Sequence, residues 1–173
     1  MTPRTRPVRV RPINIRPVRN DDFSALYALD QACFPPGIAW SKAELGYFLK
    51  YPGNIGLIAE DESSSLAGFA IAGPHRRRGI LIGRLITIDV REDSRRKGVG
   101  HTLLLAIEER LRAAGVQALM LEVAADNAAA QAFYTRHGFT PTGRIPGYYN
   151  GRLDALVMEK PLPNEPTPAP RLQ

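Results

Sequence analysis

The stretch VQALMLEVA, residues 116–124, is apolar at nearly every position and has a helical pattern on each side. A run this short reads as a strand, and one apolar on both sides of its pleat must be buried on both faces. From Val99 to Ala114 the apolar residues recur at helical spacing, closed by Gly115. The segment NAAAQAFYTRHG, residues 127–138, predicts another helix, capped by Asp126 and ended by Gly138. Two closing strands follow, FTPTGRIPGYY and RLDALVMEK, joined through the hairpin signal Asn150-Gly151. Strand alternating with helix before a hairpin predicts an α/β layer on a sheet of mixed direction.

The first half fits that layer. NIRPVRNDD predicts a strand ending at a helix start, with Asp21 or Asp22 capping FSALYALDQACF. PPGIA breaks that helix, and WSKAELGYFLKY begins the next with Ser41 as N-cap and Glu44 at the capping-box position. NIGLIAED, LAGFAIAGP and GILIGRLITIDV then read as three strands in succession. The sum is about seven strands and about four helices. With 173 residues and 44% apolar content this is one soluble globular domain, residues 11–161. Residues 1–10 form a basic tail and 162–173 a proline-rich tail, both expected to be disordered.

No apolar run approaches the roughly 18 residues that argue for a membrane span. The basic start MTPRTRPVRVRP has no apolar segment behind it, so a secretory signal is not expected. Cys33 is the only cysteine, which fits a reducing, cytoplasmic setting and a half-buried thiol more than a nucleophile. The charge of +6 suits an anionic ligand. No zinc spacing or aromatic platform accompanies it, so neither a metal site nor direct nucleic-acid binding is expected.

The segment REDSRRKGVGHTLL, residues 91–104, lies between a strand and a helix. A helix start offers unpaired N–H groups and about half a positive charge. Gly98 and Gly100 remove the Cβ atoms that would hold a phosphate away from the backbone, and Arg95, Arg96 and Lys97 add charge. The arrangement is an anion cradle or, on spacing alone, a solvated basic turn. It is neither a Walker loop nor the three-glycine dinucleotide fingerprint. His75-Arg76-Arg77-Arg78 reads as a solvated hairpin tip.

Glu122 sits inside the apolar strand, where a carboxylate needs a partner or a task. Alternation puts it on one face with Met120 and Ala124, and Leu121 and Val123 on the other. It has a chemical task or is the ion-pair partner of a nearby arginine. Asn127 and Tyr134 are seven residues apart and share a helical face, where Tyr134 taken alone reads as an interfacial aromatic. Asp89, facing away from Ile88 and Val90, is a rival base or one half of a structural ion pair.

An Arg-x-x-Gly-x-Gly run between a strand and an amphipathic helix resembles the acetyl-coenzyme A loop of the GNAT superfamily of N-acetyltransferases. The resemblance covers roughly residues 12–161. It implies that Ile88, Asp89 and Val90 hold the pantetheine arm through their backbone. It implies also that Arg95, Arg96, Lys97, Gly98, Val99, Gly100 and His101 hold the pyrophosphate. LEVAADNAAAQAFYTRHGF, residues 121–139, resembles the bacterial ribosomal-protein-alanine N-acetyltransferases. That likeness implies Glu122 as general base, Tyr134 as general acid and Asn127 as a coenzyme A contact. Tyr148 and Tyr149 resemble the tyrosine pair of a peptide slot, or are cross-strand packing. CFPPGIAWS resembles the loop between the first two helices, with Phe34 and Trp40 as acceptor contacts.

The resemblance thus implies acetyl transfer from acetyl-coenzyme A to a protein or peptide N-terminus, a ribosomal protein among the candidates. The same features would serve transfer to a small-molecule amine or a lysine side chain. A coenzyme A-binding module without turnover is a further alternative, though it would need neither acid nor base.

Overall fold

The structure, a computed structural model, describes residues 12–163. One seven-stranded sheet runs in the order β1-β2-β3-β4-β5-β7-β6. Its strands are β1 (Asn14–Pro17), β2 (Ile55–Glu60), β3 (Leu66–Arg77), β4 (Ile80–Val90), β5 (Ala118–Ala124), β6 (Thr140–Tyr149) and β7 (Leu153–Pro161). All neighbours are antiparallel except β4 and β5. The helices are α1 (Phe23–Cys33), α2 (Lys42–Lys50), α3 (Val99–Ala113) and α4 (Ala128–Arg136).

Alternation along the inner strands divides the core between the two faces of the sheet. Ile58, Phe69 and Ile71 bury against Leu26, Leu29 and Leu45 of α1 and α2. Their neighbours Leu57, Ala59, Ala70 and Ala72 bury on the other face, against Leu103, Leu104, Ile107 and Leu111 of α3. Each of those α3 side chains contributes roughly 1.5–3 kcal/mol by leaving water. Asn150 and Gly151 both take left-handed φ values, 53° and 69°, as the tight turn between β6 and β7 requires.

The feature that makes a site is a failure of pairing. β4 and β5 are in register only over Gly83–Leu85 and Leu119–Leu121, although β4 runs on to Val90 and β5 to Ala124. Beyond Leu85 the two parallel strands part. A register shift between β3 and β4 lies at this point, where Ala72 faces Leu85 but Ile71 faces Thr87. A bulge of this kind bends the strand and increases its local twist. It also moves the alternation by one residue, so that Ile88 and Val90 join the α3 side and Asp89 faces α1.

Three expectations need correction. Asn127, not Asp126, caps α4, its side chain accepting from the Ala130 N–H at 3.1 Å. Asp22 does stand at the N-cap position of α1, but its side chain makes no capping hydrogen bond to that helix. Asp22 instead accepts from the Arg19 N–H at 2.6 Å and from Arg16, because a 3₁₀ turn over Asn20–Asp22 precedes the helix. Leu162 is no part of a loose tail: its side chain is fully buried and its N–H donates to the Gln117 carbonyl at 2.8 Å. Apart from the exposed Pro163, the rest of both expected tails, residues 1–10 and 164–173, lies outside the described residues. The capping box of Ser41 and Glu44 is formed as expected.

Candidate active site

Where β4 and β5 part, a cleft of about 1150 Å³ opens between them. β3 pairs with the outer edge of β4, and β7 with the outer edge of β5. The inner edges of Ile86–Val90 and Glu122–Ala124 therefore face the cleft without a strand partner. Such an edge can bind an extended ligand that carries amides of its own.

Glu122 reaches the cleft from the α1 face of β5, with its side chain 12% exposed. Arg84 of β4 holds it, Nε donating to Glu122 Oε2 at 3.0 Å while Nη2 donates to the Tyr148 hydroxyl at 2.9 Å. The carboxylate thus has the nearby arginine that one of the two readings foresaw, and it also borders the cleft. Tyr134 enters from the opposite side, out of the α3–α4 core, with edge-on packing against Phe133 and Phe139. Burial first, then the nearby Asp89 and Tyr149, push its phenol well above the usual range, so it stays protonated at neutral pH.

Asp89 lines the same cleft but is 1% exposed, with one oxygen accepting from the Thr87 hydroxyl at 2.6 Å and the other unpartnered. Desolvation raises its pKa to about 8, the charge of Asp30 adding to the effect. At neutral pH it is mostly a carboxylic acid, a poorer proton acceptor than a carboxylate open to the cleft.

The loop after β4 makes a 3₁₀ turn over Glu92–Ser94 and enters α3 through Gly98 in the left-handed conformation at φ 85°. Arg95 lines the cleft, its Nε donating to the Val90 carbonyl at 3.1 Å. Gly100 also borders the cleft, and a Cβ there would come within 3.4 Å of the Phe133 ring. Val99 points into the core, leaving only its backbone for a ligand. Arg96, Lys97, Gly98 and His101 lie outside the cleft wall; His101 Nδ1 meets His137 Nε2 at 2.9 Å. Asn127 lies in the wall with its amide nitrogen left over from capping.

At the other end two walls face each other. Phe34 and Trp40 come from the α1–α2 loop, Tyr148 and Tyr149 from the end of β6. Consecutive strand residues normally point to opposite faces, but pairing is irregular between Ile145 and Tyr149, and both tyrosines border the cleft. Their rings meet edge-on at 4.9 Å. The walls touch: a Cβ on Gly37 would fall 2.0 Å from Asn150 Nδ2, and the left-handed φ of 92° at Gly37 is what favours glycine there. Arg84 was missed by sequence reasoning. Its signal was a cation in an apolar strand, the counterpart of Glu122.

Residues 23–139 match the acetyltransferase (GNAT) family. The chain belongs to the GNAT family. Among curated relatives, the ribosomal protein bS18-alanine N-acetyltransferase of Escherichia coli is 41% identical over 81 residues, 45% of this chain and 55% of that protein. The L-methionine sulfoximine/L-methionine sulfone acetyltransferase of Pseudomonas aeruginosa is 35% identical over 107 residues, 60% of this chain and 62% of that protein. The chain therefore spans somewhat over half the length of these relatives. The crystal structure of the ribosomal-protein-S18-alanine N-acetyltransferase from Escherichia coli aligns over 94% of this GNAT chain and 99% of its own, with TM-score 0.73 and 28% identity.

Proposed function

We propose that this chain is an N-acetyltransferase that moves an acetyl group from acetyl-coenzyme A to the α-amine of a protein or peptide N-terminus. The observation that carries the reading is the placement of Glu122 and Tyr134 on opposite sides of one cleft, beside an unpaired stretch of β4. The free edge of Ile88–Val90 suits the amides of a pantetheine arm. The start of α3, with residues 95–101 and the Asn127 amide, suits its phosphates.

Acetyl-coenzyme A supplies an activated thioester, and the chain's own groups manage the protons. Glu122 takes a proton from the attacking amine, directly or through water, as the N–C bond forms. Tyr134 gives its hydroxyl proton to the departing sulfur as the C–S bond breaks. Both residues are then reset by exchange with solvent. No covalent enzyme intermediate is needed.

An α-amine suits this equipment. Its reference pKa is near 7.7–8.0 against about 10.4 for lysine, so at neutral pH its nucleophilic form is about 10²–10³ times more abundant. One carboxylate suffices for such a group, and the second carboxyl near the cleft, Asp89, is mostly protonated. The walls meet at Gly37 and Asn150, which closes the cleft on that side and suits an extended chain. The bS18 relative makes an alanine-first ribosomal protein N-terminus the first acceptor to try. A second reading, a free amino acid or its analogue as acceptor, is favoured by the Pseudomonas aeruginosa relative.

The test uses two peptides of one alanine-first sequence with an internal lysine, one free and one N-terminally blocked, and a free amino-acid sulfoximine. Mass spectrometry should place the acetyl group on the free terminus, with the blocked peptide nearly inert. Comparable acetylation of the blocked peptide's lysine, or turnover of the sulfoximine alone, sinks the N-terminal reading.

A further inference from the structure

Asp30 is a fully buried carboxylate in the last turn of α1 that the proton transfers above do not use. Burying a charge is costly unless something is gained by it. Its Oδ2 accepts from the Trp40 backbone N–H at 2.8 Å and from the Gln31 amide at 3.1 Å, while Oδ1 has no partner. The same Gln31 amide donates to the Trp40 carbonyl at 2.8 Å. Two consecutive side chains of α1 thus grip both backbone polar groups of Trp40, ten residues along the chain from Asp30. The grip closes a loop whose start is set by a turn, with Ile38 and Ala39 N–H groups on the Pro35 carbonyl. Its far end is set by the capping box at Ser41. The indole it fixes packs edge-on against Phe48 at 4.9 Å and lines the cleft opposite Tyr148 and Tyr149.

We propose that Asp30 is a positioning residue that, with Gln31, clasps Trp40 and so sets the acceptor wall of the cleft. It touches neither substrate. Without the clasp the stretch between Pro35 and Ser41 loses its anchor to α1, and the wall facing the tyrosines loses its fixed place. The donor end, built from β4, α3 and α4, makes no hydrogen bond to Asp30 or Gln31, and its one electrostatic tie to the clasp is the effect of Asp30 on Asp89. The consequence is a selective one: acceptor recognition weakens while donor recognition does not. The argument rests on the proposed function only in taking that end of the cleft as the acceptor's.

Trp40 is the sole tryptophan of the chain, so its fluorescence reads the clasp without any need for turnover. Asp30→Ala should shift Trp40 emission to the red and increase acrylamide quenching, with far-ultraviolet circular dichroism and acetyl-coenzyme A affinity unchanged. Gln31→Ala, at an exposed position that cannot endanger folding, should do the same to a smaller degree. Asp30→Asn keeps an oxygen for the Trp40 N–H and should behave like the parent protein. On whichever α-amine substrate is turned over, Asp30→Ala should raise acceptor KM roughly three- to tenfold, the range for one lost hydrogen bond, with donor KM constant. Unchanged quenching in both Asp30→Ala and Gln31→Ala overturns the clasp. Changed quenching with donor and acceptor KM moving together overturns its role in the acceptor wall. A parent protein that acetylates no α-amine counts against the proposed function alone, because the fluorescence arm still decides the clasp.

Discussion

At the scale of single residues, the proposed reaction turns on where two protons go. Glu122 is held by Arg84 from one side and open to the cleft on the other, so its geometry is set before any substrate arrives. Tyr134 is kept protonated by burial, which a proton donor at neutral pH needs. Glu122→Gln and Tyr134→Phe should each lower kcat by about 10²–10⁴, the usual contribution of one acid or base. Steady-state kinetics and a donor titration separate this from a binding defect, since acetyl-coenzyme A affinity should change little. Full turnover in Glu122→Gln would move the base to Asp89 or to water. Arg84 was invisible as a partner because nothing in the strand GILIGRLITIDV says which strand will lie beside it.

At the scale of elements, the junction of β4 with α3 joins a local rule to a function. Gly98 has φ 85°, and a Cβ placed on it would meet nothing within 4 Å. The glycine is needed for backbone conformation and not for room within the fold. Gly98→Val should therefore cost stability of about 1 kcal/mol or more through a strained left-handed residue. If the α3 start holds phosphates, it should also weaken acetyl-coenzyme A binding beyond that loss of stability. Calorimetric titration at a temperature where the variant is folded separates the two, and unchanged affinity would remove the cradle. The glycine pair, the helix after it and the strand before it are all legible in the sequence, since each depends on residues close along the chain.

At the scale of the whole molecule, burial of acids beneath the α1 face ties stability to pH. Asp89 has its pKa raised from 3.8 to about 8, mainly by desolvation. The native state therefore keeps a proton that the unfolded chain gives up near its ordinary value. A raised carboxyl favours the fold at low pH, and that contribution is lost as pH rises through the window from about 4 to about 8. The slope from this group alone approaches about 1.4 kcal/mol per pH unit within the window. Asp30, raised in the same direction by burial, adds to it. Urea midpoints measured from about pH 5 to about pH 8 should fall in the parent protein and fall less in Asp89→Asn, which retains an acceptor for the Thr87 hydroxyl. Parallel profiles for the two proteins would contradict this account.

The sequence by itself determined what depends on neighbours along the chain: seven strands and four helices, the Ser41 capping box, the Asn150-Gly151 turn and the glycines that start α3. It also singled out Glu122, because a carboxylate in an apolar strand is anomalous wherever that strand packs. Periodicity and capping are local, so a short window carries them. Tertiary structure alone decided which distant groups would meet. It parted β4 from β5 after Leu85, brought Arg84 to Glu122, closed Asp30 on Trp40, set Gly37 against Asn150 and buried Leu162 beside Gln117. Each of these contacts exists because two separately formed elements were packed on one sheet, and no local pattern carries the identity of a partner on another element.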